Sequence, residues 1–111
     1  MGAEVVWHAL GTTSVTATPL HSKPQLAEIR LMSARGPFTS IRLTALDGTV
    51  KLDHVVITFA HGSTQRVDVK KTIEAGAFTP AIQLTGEDHV IRTVTLGYTA
   101  PKFANVRLYA R

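Results

Sequence analysis

Apolar and polar residues alternate along most of this chain with a period of two, and no stretch sustains a period near 3.6. Ala27, Ile29 and Leu31 alternate with Glu28, Arg30 and Met32. Ile41, Leu43 and Ala45 alternate with Arg42 and Thr44, and Val106, Leu108 and Ala110 with Arg107, Tyr109 and Arg111. Successive side chains of a strand point to opposite faces, so each run predicts a half-buried β-strand. A first strand is expected over Glu4 to Leu10, ended by Gly11, then a Thr-rich strand over Thr12 to Thr18 with Val15 and Ala17 inward. Pro19 to Pro24 reads as a loop, because proline cannot donate to a ladder, and Ser33 to Pro37 reads as a turn. Val67 and Val69 between Arg66, Asp68 and Lys70 predict a charged edge strand. Lys71 to Ala77 is the one segment with a helical turn in its pattern, and Gly76 closes it. Together these elements predict an all-β antiparallel two-sheet sandwich of about eight or nine short strands. It forms one domain over residues 1–111.

One scheme occurs twice. Gly36-Pro-Phe-Thr leads to Ile41-Arg-Leu-Thr, an Asp47-Gly48 turn, Asp53-His54-Val55 and a strand ending on Phe59. Gly76-Ala-Phe-Thr leads to Ile82-Gln-Leu-Thr, a Gly86-Glu87 turn, Asp88-His89-Val90 and a strand ending on Tyr98. The copies predict two related strand pairs, one on each side of a common core. Asp47-Gly48 carries the strongest hairpin signal, because glycine supplies the positive φ such a turn needs. The change of phase at Asp53-His54 predicts a bulge.

Trp7-His-Ala-Leu-Gly11, Arg35-Gly-Pro-Phe-Thr-Ser-Ile-Arg-Leu43, Val55-Val-Ile-Thr-Phe-Ala-His-Gly62, Ile82-Gln-Leu-Thr-Gly86 and Val90-Ile-Arg-Thr-Val94 with Tyr98 span nearly the whole chain. In these motifs the chain resembles the small bacterial DUF2541-type domain, an all-β family. The resemblance implies a sandwich and a place in the cell envelope. It leaves function open, since one fold hosts many functions. His89 stands where the family pattern leads us to expect an arginine, so a role resting on arginine there does not carry over.

Composition narrows the chemistry. Without cysteine, disulfides, thiol catalysis and zinc ribbons are excluded. No apolar run approaches the ~20 residues of a membrane helix. The N-terminus lacks the basic start and apolar core of a secretion signal, so a cytoplasmic location is expected unless a leader has been removed, in which case the periplasm or envelope is favoured. The formal charge of +4 favours anionic partners, but the cations are scattered, as on a solvated surface. A nucleic-acid surface is not expected.

The histidines are the main candidates for chemistry. If the repeat brings Asp53-His54 and Asp88-His89 together, two histidines and a carboxylate suit Zn, Cu or Fe, with His61 as a further ligand. Asp and His at a turn-to-strand junction more commonly cap local backbone groups or face water. Ser14, Ser33, Ser40 and Ser63 stand in no Gly-x-Ser-x-Gly elbow. Of the aromatic residues, Trp7, Phe38, Phe59, Phe78 and Tyr98 are expected in the core. Tyr109, between Arg107 and Arg111, is expected to face outward, either as an ordinary surface tyrosine or stacked on a sugar or base. The expected function is therefore a non-catalytic binding domain, without cofactor, contacting a protein or glycan through Tyr109, Arg107 and Arg111. The alternatives are a metal-binding protein or metal-dependent enzyme using His54, His89, Asp53 and His61, and a structural subunit that self-associates through edge strands.

Overall fold

The computed structural model describes residues 6–18, 23–86 and 89–111, and every side chain among them but that of Met32. Glu4, most of the proline loop, His21, Glu87 and Asp88, all of which carry expectations above, lie outside the described residues. Among the described residues the chain forms eight strands. They are β1 (His8–Val15), β2 (Gln25–Arg35), β3 (Ser40–Ala45), β4 (Val50–Phe59), β5 (Thr64–Ile73), β6 (Ile82–Gln83), β7 (Ile91–Thr99) and β8 (Ala104–Ala110).

The strands make two antiparallel four-stranded sheets, ordered β1-β8-β3-β6 and β2-β7-β4-β5. This is the predicted sandwich. Ile41, Leu43, Val106 and Leu108 of the first sheet and Val55, Ile57, Val94 and Leu96 of the second are all buried between them. Each such side chain contributes about 1.5–3 kcal/mol of transfer free energy. Tyr98 is buried as well, and its hydroxyl donates to Gln25 Oε1 (3.2 Å) and accepts from the Thr16 amide (3.1 Å). Its polar tip is thus satisfied where the ring is not in water.

The duplication is real in its strands but not in the arrangement expected of it. Asp47-Gly48 does not close a hairpin, because β3 lies in one sheet and β4 in the other. The turn carries the chain across the sandwich instead. The Asp47 carboxylate accepts from the backbone amide and the side-chain amide of Asn105 (2.7 and 3.0 Å), and the Leu46 amide donates to the Asn105 carbonyl. These bonds tie the corner to β8 and leave no β3–β4 ladder. Each copy therefore straddles both sheets, and the copies lie side by side. β3 pairs with β6, with Ile41 directly opposite its counterpart Ile82. β4 pairs with β7, with Phe59 and Tyr98 at opposite ends of the ladder.

Four local expectations are also corrected. Gly11 does not end the first strand: β1 runs through it with a register shift between Ala9 and Gly11. Ala17 is exposed, whereas Val15 is buried as expected. The strand before Pro37 continues to Arg35, where a turn is expected from Ser33. Finally, Lys71 to Ala77 makes no helical turn. β5 extends to Ile73, and the segment after it bridges β3 through Ala75 and Phe78. That segment extends the edge of the first sheet, with the Thr79 amide donating to the Leu43 carbonyl and the Leu43 amide to Thr79 Oγ1.

Candidate functional site

The outer face of the first sheet gathers the side chains of greatest chemical interest. Alternation along β8 turns Val106, Leu108 and Ala110 inward and Arg107, Tyr109 and the following Arg111 outward. Arg42 projects from the neighbouring strand, where it stands opposite Tyr109. Phe78 reaches the same face because Thr79, the next residue, is turned inward and hydrogen-bonded to β3. Trp7 enters it from the segment just before β1, whose first residue pairs with Ala110.

The six side chains form one layer. The Arg42 guanidinium carbon lies 4.0 Å from the Phe78 ring centroid and 4.3 Å from that of Trp7. Tyr109 is within 6.0 Å of the same carbon and meets Phe78 edge-on, centroids 5.7 Å apart. Arg111 also lies over Trp7, at 4.7 Å. The electron-rich faces of the rings attract the cations, at about 0.5–2 kcal/mol per pair depending on solvent access. Arg107 is held along the sheet by a hydrogen bond from Nε to Thr12 Oγ1 (3.3 Å). Among the described residues, none of these three arginines is ion-paired with a carboxylate. Arg42 Nε is buried and has no hydrogen-bond partner there.

Tyr109 thus faces outward between Arg107 and Arg111. Trp7 and Phe78 are corrections, since neither joins the core: Phe78 is 44% exposed. Phe59 and Tyr98 do lie in the core, and Phe38 packs partly against it. Phe78 escapes because it stands on an irregular edge segment whose alternation the helix-like stretch before it disguises. Arg42 is missed because a lone arginine in an alternating strand reads as solvated. Only its position opposite Tyr109 shows otherwise.

The second candidate constellation is divided. His54 stands opposite Gly97 in the middle of β4. His89 lies beyond the other end of the same ladder, where the Phe38 amide donates to its carbonyl and the Ala60 amide to that of Val90. The six residue steps from Gly97 to Ile91, at about 3.3 Å each, put about 20 Å between His54 and the end of β7 beyond which His89 lies. The repeat therefore does not bring His54 and His89 together. His61 is exposed in the turn after β4, at the His89 end. Among the described residues, no group of three or more His, Asp or Glu side chains is arranged to hold a metal ion.

At its own end, Asp53-His54 makes the predicted bulge, where the β4 register shifts between Leu52 and His54. Across from it Lys70 adopts a left-handed backbone conformation (φ 49°). His54 Nδ1 donates to Asp53 Oδ2 (2.8 Å), and Lys70 Nζ lies 3.8 Å from the other carboxylate oxygen. The hydrogen bond from His54, aided by Lys70, holds the Asp53 carboxyl below its ordinary pKa. These contacts are local to the bulge, as expected of Asp and His at a junction.

The family model described as "Domain of unknown function (DUF2541)" matches residues 2–110. The chain belongs to the DUF2541 family. No curated protein and no solved structure matches it. The DUF2541 assignment agrees with the motifs quoted above and carries no activity with it. The reading of function therefore rests on the outer face of the first sheet.

Proposed function

We propose that this DUF2541 domain is a non-catalytic binding module whose ligand is a glycan, held on the outer face of the β1-β8-β3-β6 sheet. The observation that carries the reading is the layer of Trp7, Phe78 and Tyr109 interleaved with Arg42 and Arg111. Aromatic rings offer a flat apolar surface with a polar edge, which suits the apolar face of a sugar ring. Arginine supplies a rigid fork of donors for its oxygens. The patch comprises six residues on a strand surface, far fewer than the about 20–30 per side of a typical protein–protein interface. That disparity favours a glycan over a protein partner. The cell envelope, where polysaccharide is abundant, is the compartment this reading expects.

The test is a glycan array probed with the wild-type chain and with Tyr109→Ala and Phe78→Ala, each checked for an unchanged β-sheet circular dichroism spectrum. Binding to at least one saccharide class, lost in both variants, is expected. Failure to bind any saccharide, or binding that survives both substitutions, overturns the proposal.

A further inference from the structure

The charge on this face is distributed in a way that ring stacking alone does not require. Two guanidinium groups, those of Arg42 and Arg111, are held within 5 Å of the centroid of one indole, at 4.3 and 4.7 Å. Like charges gathered in this way repel, and low-dielectric surroundings strengthen the repulsion. The rings offset part of it by cation–π attraction. The usual remedy, an interleaved carboxylate, is missing among the described residues of the patch. Asp47 is committed to Asn105 at the corner, Asp53 to His54 and Lys70 on the other sheet, and Asp68 to Arg66. Arg107 adds a third cation on the same face of β8. The buried, unpartnered Nε of Arg42 means that this guanidinium has given up hydration on one edge with no protein acceptor in return. A carboxylate or sulfate would satisfy such an array, because both present oxygens matched to the guanidinium fork.

Building on the glycan reading above, we infer that the saccharide is acidic, with a carboxylate or sulfate group seated between Arg42 and Arg111 and its pyranose ring against Tyr109 or Phe78. The number and spacing of the charges favour a saccharide over nucleic acid. Duplex-binding surfaces neutralise about 6–10 phosphates along a stripe. Here three arginines sit in one small cluster, and the remaining cations are scattered over the chain.

The experiment is isothermal titration of the full chain with hexasaccharides of galacturonate, hyaluronan and chondroitin sulfate. Each is paired with a neutral counterpart whose carboxylates are reduced to alcohols and whose sulfates are removed. Single-stranded and duplex oligonucleotides of similar charge serve as competitors. The acidic member of at least one pair is expected to bind about tenfold or more tighter than its neutral counterpart, as for one charge-assisted hydrogen-bonded contact. Added salt should erode that preference. Arg111→Gln, which removes one charge just after β8, should abolish the preference, weakening the acidic member of each pair more than its neutral counterpart. Arg42→Lys keeps the charge but loses the planar stack, and should weaken acidic and neutral sugars alike by loosening Trp7 and Phe78. Equal binding of acidic and neutral members in all three pairs overturns the inference and leaves the glycan reading standing. No binding to any saccharide overturns both. Tighter binding of an oligonucleotide than of any saccharide overturns both in favour of a nucleic-acid surface.

Discussion

A β-carbon on Gly97 would clash with Cε1, Nδ1 and Nε2 of the imidazole ring of His54, its cross-strand neighbour on β4. The glycine makes room for the ring, and the ring in turn is fixed by Asp53 at the bulge. Gly97→Ala should therefore destabilise the fold by about 1–3 kcal/mol, the usual cost of forcing extra volume into a packed site. His54→Ala in the same chain should restore most of the loss. Denaturant unfolding of the two single variants and the double variant measures the coupling, and additive effects would show that the ring and glycine do not compete for space.

Asp53 gives this bulge a predictable pH response. Its carboxyl titrates below the ordinary value in the folded chain, chiefly because of the hydrogen bond from His54. A depressed carboxyl stabilises the folded state at neutral pH, and that contribution fades as pH falls from about 3.9, the unfolded value, through the lower folded value. Wild type should melt above Asp53→Asn at pH 7, with the gap closing below the folded pKa. Thermal unfolding from pH 2 to 7 checks it. A gap that widens on acidification would reverse the sign of the assignment.

Thr79 links the core to the outer face of the first sheet, where Phe78 lies. Its hydroxyl accepts from the buried Leu43 amide at 3.0 Å, and its backbone amide donates to the Leu43 carbonyl. Thr79→Val keeps the shape and removes the acceptor, leaving a buried N–H unsatisfied. The expected cost is about 1–3 kcal/mol. Thr79→Ser should lose much less. Because Phe78 is the next residue along, Trp7 fluorescence should also change in Thr79→Val and stay close to wild type in Thr79→Ser.

The sandwich was legible because strand alternation reports burial directly. Ile41, Leu43, Val106 and Leu108 are inward for the reason their spacing implies. The bulge at Asp53 was legible for the same reason, as a slip in that alternation. Pairing was not. Asp47-Gly48 has the residues of a hairpin turn, but a local turn signal cannot say whether the chain returns beside itself or crosses to another sheet. Bonds to Asn105, far along the chain, decide that. The candidate face divides in the same way. Tyr109, Arg107 and Arg111 share one strand and could be read as outward together, whereas Trp7, Arg42 and Phe78 reach them only through β1, β3 and an irregular edge.

β8 lies between β1 and β3, so it is an interior member of its sheet although it follows seven other described strands in the chain. During synthesis β1 must wait, without its ladder partner, until β8 leaves the ribosome. A polypeptide released early, short of Ala104, would keep the β4–β7 ladder but have nothing to join β1 to β3. Trp7 and Arg111 meet only once β8 has docked, so the aromatic and arginine patch is a late product of folding, and chains lacking β8 would lose it together with the pairing of the first sheet.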